Sequence, residues 1–384
     1  MASPAGNVEP QEPEVHRGLA GVVADTTAVS KVNPATNSLL YRGYPVQELA
    51  EHCSFEEVAW LLWHGELPGP GELDGLRERT AAARRLDDRV RRVVEELPLA
   101  AHPMAVVRTA VSVLGTLDPD AGDDSPAAEL RKAERLFAQL PAVVAFTQRR
   151  RRGEDPVDPD PALDHAADFL HQTFGETPSA AVADAFRISL ILYAEHSFNA
   201  STFTARVVTS TLSDLHAAVT AAVGALAGPL HGGANEKVWD VFAEIGPGPG
   251  SGERARAWVD REFAAHHKIM GFGHRVYRSG DSRVPSMEAA LRRLAADTGR
   301  EDVVTLYDEL QAAVAGRTSV LPNLDYPSGP AYHLMGFDTA LFTPIFVAAR
   351  VVGWTAHVRE QRAANSLIRP LSAYSGPAER HLDR

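Results

Sequence analysis

The chain has 384 residues, 45% apolar and 23% charged, enough for a large core and, at about 150 residues per domain, for two to three domains. Its 38 basic and 50 acidic side chains leave a formal charge of −12, which excludes a general nucleic-acid surface but leaves room for a local arginine pocket around a small anion. The single cysteine, Cys53, excludes an intrachain disulfide and a cysteine-based zinc site. No apolar run approaches the ~18 residues of a membrane span, so a soluble, cytoplasmic protein is expected, with no nucleic-acid or membrane partner.

In chain order, residues 1–17 are polar and proline-rich, without the apolar run of a signal peptide, and are expected to be a disordered lead-in. VVADTTAVSKV is rich in β-branched residues and runs into NPATN, a turn, so a short hairpin is expected between Gly18 and Gly43. From Val46 the pattern becomes helical. In SFEEVAWLLWHGELP, Ser54 and Glu57 have the spacing of a capping box, and Gly65 and Pro68 stop the helix. HPMAVVRTAVSVLG, PALDHAADFLHQTFG, SAAVADAFRISLILYAEH and SDLHAAVTAAVGALAG are alanine- and leucine-rich, with a cap or a glycine at their ends. GERARAWVDREFAAHHK, PSMEAALRRLAADTG and the long apolar TPIFVAARVVGWTAHVREQ continue the theme, and the fold class is mainly α. Two segments resist this pattern. DPDAGDDSP is an acidic loop. GPGPGSG has no strand before it, lacks the spacing of a dinucleotide loop and loses two amide donors to proline, so it reads as a linker.

Four stretches look chemical: YAEHSFNAST (193–202), GPLHGGANE (228–236), GFGHRVYRSGDSR (271–283) and LPNLDYPSGP (321–330). The last three are expected in Gly/Pro-rich turns, where side chains can be presented to a ligand. His52, His165 and His216 read as satisfied polar residues on helices. His231 and His274 are flanked by glycines that leave room for a substrate. A helix beginning in ANEKVWDVF would place His231 near a positive dipole end, favouring a neutral imidazole able to donate a hydrogen bond to a carbonyl. Asp325, if partly desolvated, is a candidate base. Arginine forks suit carboxylates. Each residue alone has an ordinary structural explanation. Together they fit proton abstraction beside a carbonyl, the carbanion then adding to a polycarboxylate. A histidine–aspartate metal site stays open, although no H-E-x-x-H occurs and adjacent His266 and His267 would point apart on a helix.

In order and spacing these stretches resemble the citrate synthase family from Gly18 to Gly376, with HGGANE, GFGHRVYR and PNLDYPSG as the specific blocks. The N-terminal GLAGVVADTTAVSKV and YAEHSFNASTF are most similar to the short bacterial branch, above all to actinobacterial 2-methylcitrate synthases that also make citrate. The resemblance implies that His231 hydrogen-bonds an acyl-CoA thioester carbonyl and stabilises its enol, that Asp325 takes the α-proton, and that His274 polarises and protonates the oxaloacetate ketone. It implies oxaloacetate contacts from His196, Arg283 and Arg350, and from Arg369 donated across the interface of a homodimer. Arg278 and Lys268 are expected at CoA phosphates, and Gly271 and Gly273 where CoA passes close to the backbone. No cofactor or metal is implied, because the CoA thioester, acetyl or propionyl, is a substrate. The implied fold has two helical domains and a short N-terminal β-hairpin. A large domain (18–221 and 327–384) is joined to a small one (222–326) that closes over the substrates. Closure excludes water while the enol exists, and the CoA thioester of the product is then hydrolysed. Tyr193 and Leu341 are expected on the acyl-pocket wall, though core packing accounts for them nearly as well. The alternatives are a dedicated citrate synthase, a metal-dependent hydrolase built on His196, His231 and Asp325, and a helical binding protein without catalysis.

Overall fold

The computed structural model describes residues 15–33, 36–274, 277 and 280–382. Most of the N-terminal lead-in, Pro34 and Ala35 of the hairpin turn, and the CoA candidate Arg278 therefore lie outside the described residues. The hairpin is present: β1 (Ser30–Asn33) pairs antiparallel with β2 (Ser38–Tyr41), Ser30 opposite Tyr41, and β3 (Tyr44–Pro45) folds back onto β2. Only the end of the β-branched run enters the sheet, and Val22 and Val23 face solvent.

The helices follow the capping signals. After α1 (Val46–His52), α2 (Phe55–His64) opens with the expected box: Ser54 Oγ accepts from Glu57 N at 3.2 Å and Glu57 Oε2 accepts from Ser54 N at 2.7 Å. Gly65 ends it with φ +96°. Then come α3 (Pro70–Ala83), α4 (Asp88–Glu96), α5 (Pro103–Leu117) and α6 (Pro126–Arg152). The acidic loop between α5 and α6 is held by Asp118 and Asp120, both paired with Arg135 at 2.6 Å. α7 (His165–Phe174), α8 (Ala180–Tyr193), α9 (Ala200–Ser210) and α10 (Leu215–Leu226) begin at Asp164, Ser179, Asn199 and Asp214. Each of those four caps accepts a first-turn N–H that the helix itself leaves without a partner. α11 (Ala234–Ile245), α12 (Ser251–Ala264), α13 (Val284–Thr298), α14 (Glu301–Ala315), α15 (Asp325–Leu334) and α16 (Phe342–Ala363) complete the fold. The GPGPG turn links α11 to α12, as a linker should.

Two expectations need correction. LPNLDYPSGP is not a turn throughout: Asp325 is the first residue of α15. Pro327, three residues in, lacks an N–H that would have had no intrahelical partner, so only Pro330 interrupts the ladder. His165 is not a satisfied polar residue either. Its ring lies stacked on Phe137 at 3.9 Å, and its Nε2 has no hydrogen-bond partner among the described residues. Burial, then the Arg84 charge, holds its pKa well below the usual imidazole value, and it behaves as an aromatic core residue. His52 is exposed beside Glu51, and His216 is buried 3.6 Å from Asp118.

α16 is the central element. It is long and apolar enough to cross a bilayer by composition, but it packs against α6, α8, α9 and α10, and almost every residue from Phe342 to Val358 is buried. At Gly353 it meets the end of α8 backbone to backbone. Gly353 N donates to the Ala194 carbonyl at 3.2 Å, and a Cβ there would lie 2.5 Å from that oxygen and 2.2 Å from Glu195 Oε2. This approach sets how α8 presents its last residues. The expected domain boundaries at 221/222 and 326/327 fall inside α10 and α15.

Candidate active site

The C-terminal end of α8 organises the site. The last carbonyls of a helix have no intrahelical donor and carry partial negative charge, so they attract cations. Here the Tyr193 carbonyl accepts from Arg350 Nε at 2.7 Å, and the Leu192 carbonyl receives Arg283 Nη1 at 3.5 Å. Both arginines are nearly fully buried. The hairpin braces the same helix end: Tyr41 Oη donates to the Glu195 carbonyl at 2.9 Å, and Ser30 Oγ to the Glu195 carboxylate at 2.9 Å. Burial opposes the charge on Glu195, but His357, 2.9 Å from its Oε1, together with Arg350 and Ser30, holds the carboxyl below the usual range. Burial lowers Arg350 to about 10, so this guanidinium remains charged at neutral pH.

His196 follows directly. Its ring is buried 5.1 Å from that of His274 and 5.6 Å from that of Tyr277, and its Nε2 has no hydrogen-bond partner among the described residues. Burial, then Arg283, His274 and Arg350, keeps it neutral. An unsatisfied buried nitrogen is costly, and a polar ligand relieves that cost.

His231 lies in the turn between α10 and α11. Its Nε2 accepts from Ser201 N at 3.1 Å and sits 2.8 Å from Ser201 Oγ, at the start of α9. Trp354 Nε1 donates to the same hydroxyl at 3.1 Å. A ring nitrogen that accepts a backbone N–H is unprotonated, so the neutral ring carries its proton on Nδ1. Burial, then the Arg350 charge, lowers its pKa to about 4. The ring is neutral as expected, and burial and the Arg350 charge favour that state.

His274 and Asp325 are brought together by main-chain pairing. Gly273 N donates to the Leu321 carbonyl at 2.8 Å, Asn323 N to the Gly271 carbonyl at 2.8 Å, and Asn323 Nδ2 to the Gly273 carbonyl at 2.9 Å. Phe272 and Pro322 form an antiparallel bridge between the two segments. Gly271 has φ +84°, and a Cβ there would lie 2.7 Å from Val238 and 3.1 Å from Tyr326, so this chain's own packing already demands a glycine. Gly273 has φ +83°. His274 Nδ1 accepts from Tyr277 N at 3.3 Å, which places the proton of the neutral ring on Nε2. Burial, then the Arg283 charge, lowers it to about 4.

Asp325 is half-buried at the first position of α15, and its Oδ1 accepts from Tyr193 Oη at 2.6 Å. Burial raises its pKa above the usual carboxylate range, against the Tyr193 hydrogen bond and the charges of Arg283 and Arg350. Burial likewise keeps Tyr193 a phenol. Tyr193, expected as an acyl-pocket wall, thus touches the candidate base itself, and its ring packs on Phe346 at 4.5 Å. Leu341 is fully buried at the start of α16. Ser201, Asp281 and Glu195 were not singled out by sequence reasoning. The N-cap pattern N-A-S and the D-x-R spacing of 281–283 were the available signals. Lys268 and Arg369 are exposed and are not brought to the cluster within this subunit. Among the described residues, no group of three or more His, Cys, Asp or Glu is placed to hold a metal ion.

Buried histidines give a pH prediction, in which His165 and His196 act in the same direction as His231 and His274. Between pH ~6.5 and ~4 the unfolded chain binds protons that folded His231 and His274 refuse, so stability falls as the pH drops through that window. Glu195 and Asp281, held below their usual values, add a further loss at lower pH, and raised Asp325 opposes it. Melting temperature should hold above pH ~6.5 and fall towards pH ~4, with a shallower fall in His231→Asn. A flat profile between those limits contradicts the assignment.

The family model "Citrate synthase, C-terminal domain" matches residues 18–371. The chain is 56% identical to a 2-methylcitrate synthase of Mycobacterium tuberculosis over 372 residues, 97% of this chain and 93% of that protein. It is 53% identical to a citrate synthase of Mycolicibacterium smegmatis over 374 residues, 97% of this chain and 98% of that one. The solved citrate synthase of Thermoplasma acidophilum, in ternary complex with carboxymethyl coenzyme A and oxaloacetate, superposes with a TM-score of 0.89 at 30% identity, covering 96% of this chain and 98% of that one.

Proposed function

The chain belongs to the citrate synthase family, and on that premise we propose that it is a 2-methylcitrate synthase that also makes citrate. It is an acyltransferase that condenses an acyl-CoA with oxaloacetate. Asp325 removes the α-proton of the thioester while the Nδ1–H of His231 hydrogen-bonds the carbonyl oxygen, giving an enol. The enol carbon attacks the oxaloacetate ketone, whose oxygen His274 polarises and protonates. His196, Arg283 and Arg350 hold oxaloacetate, and water then cleaves the thioester to release CoA. The observation that carries this reading is where the fold places three groups. Two neutral rings have defined tautomers, one carboxyl is raised by burial, and all three stand around two buried arginines docked on the end of α8.

The dimer, the closing small domain and the cytoplasmic location are parts of the same proposal. Residues 222–326 carry His231, His274, Arg283 and Asp325 over Arg350 and His196, and Arg369 reaches the site of the neighbouring subunit. Lys268 and Arg278 are the residues we assign to the CoA phosphates. Two facts support the donation of Arg369. The segment beyond α16 has no helix or strand among its described residues and is largely exposed, and it shows Leu367, Leu371 and Tyr374 to solvent.

The choice of acyl group rests on the 56% identical relative. A pocket that admits propionyl also admits acetyl, losing the contacts of one methyl, about 0.8 kcal/mol or several-fold in rate constant. Measured kcat/KM values with oxaloacetate should therefore favour propionyl-CoA modestly, with both thioesters turned over. Robust citrate formation with no 2-methylcitrate at saturating propionyl-CoA would make the protein a plain citrate synthase.

A further inference from the structure

We propose that Asp281 is a positioning residue whose one carboxylate fixes both the oxaloacetate-binding arginine Arg283 and the main chain that delivers the base Asp325. The proposal rests on the condensing-enzyme reading above. The Asp281 side chain is completely buried. Its Oδ1 accepts from Arg283 Nε at 2.9 Å and from Arg283 N at 3.1 Å. Its Oδ2 accepts from Arg283 Nη2 at 2.7 Å and from Leu324 N at 3.0 Å. A carboxylate offers about four lone-pair sites, and all four are taken.

Two consequences follow for the chemistry. The Nε–Nη2 edge of Arg283 is already engaged side-on, so this guanidinium cannot meet a substrate carboxylate through that fork. It meets it through Nη1, whose contact with the Leu192 carbonyl is long at 3.5 Å. The second consequence concerns Asp325. The Leu324 amide immediately precedes it, so the bond from Asp281 sets where α15 begins, together with Asn323 Oδ1, which accepts from Asp325 N at 3.0 Å. A shift of Arg283 on binding oxaloacetate is thereby transmitted to the base through a single buried group. Elsewhere in this cluster, Asn323 Nδ2 also ties the two loops, at the Gly273 carbonyl, whereas the Asp281 side chain ties both loops and a binding arginine together.

Asp281 also shapes the titration of the base. Asp325 faces Tyr193 from α8, Arg350 from α16, and Arg283 and Asp281 from the loop before α13, and of these only Asp281 raises its pKa by charge. Asp281 itself faces Arg283 and His274. Removing its charge therefore lowers the pKa of Asp325, although the base is less well placed.

The test uses the full-length protein, with CoA release followed against oxaloacetate concentration and pH. Asp281→Asn keeps the shape but sets an amide donor against the Leu324 and Arg283 donors. It should raise the oxaloacetate KM about tenfold or more, lower kcat, and move the acid limb of kcat to lower pH. A general loss of structure lowers kcat without moving the limb towards acid. If wild type releases no CoA, the condensing reading itself fails. If wild type is active and folded Asp281→Asn shows an unchanged KM and an unmoved limb, the proposal is overturned. Should Asp281→Asn not fold, the double variant Asp281→Asn with Arg283→Met removes both buried charges and is compared with Arg283→Met alone. A lower kcat with an acid-shifted limb supports the proposal, and identical profiles overturn it.

Discussion

Asp325→Asn should retain the fold and oxaloacetate binding but lose about 10²–10⁴-fold in kcat, the usual contribution of a positioned general base. The amide keeps the volume and can still accept from Tyr193 through its carbonyl oxygen, so the Tyr193 contact survives the change. What disappears is the oxygen that takes the proton. Burial makes the carboxylate a stronger base than it would be in water, and no neighbouring carboxyl occupies the same turn to replace it. Steady-state kinetics with acetyl-CoA and propionyl-CoA, beside an oxaloacetate titration followed by calorimetry, separate the two effects. Turnover close to wild type would remove Asp325 from the role.

The second large effect concerns the subunit boundary. Arg369→Ala should be nearly inactive, because truncating a buried arginine–carboxylate pair costs about 2–5 kcal/mol. Mixed with Asp325→Asn, which is inactive for a different reason, it should recover activity. In a twofold dimer each heterodimer then holds one site with an intact base from one subunit and an intact arginine from the other. Equal mixing and full exchange should return about one quarter of wild-type turnover. Verified subunit exchange with no recovered activity would show that Arg369 acts within its own chain or not at all.

Much of the architecture was visible in residue patterns because local chemistry decides it. Ser54 with Glu57, and Asp164, Ser179 and Asp214 ahead of alanine-rich runs, announce helix starts that tertiary packing has no reason to overrule. The start of α15 was hidden because Pro327 and Pro330 read as turn residues, and only position within the helix shows that the first of them is harmless. In the site, His231, His274 and Asp325 stood out through their glycine- and proline-rich surroundings. The groups that tune them did not. Ser201 fixes the tautomer of His231 across 30 positions and Tyr193 holds Asp325 across 132, and no local pattern encodes partners so far apart. Two further causes of the low His231 pKa were hidden for the same reason, since burial and the Arg350 charge arise only once α16 is packed. Gly353, an unremarkable glycine in an apolar helix, gains its meaning only from the carbonyl of Ala194 opposite it.

The bridge between residues 271–273 and 321–323 has an evolutionary consequence. Its bonds are made mainly by peptide groups, and peptide groups do not change when side chains do. Substitutions at Phe272, Val320 or Leu321 can therefore accumulate, and with them new shapes at the edge of the site, without separating the proton acceptor from the ketone-polarising ring. Insertions and deletions have no such freedom. One residue gained or lost in either loop would slip the pairing and displace both groups at once. Lineages of this enzyme should consequently diversify their substrates in these loops by exchange of residues at constant length.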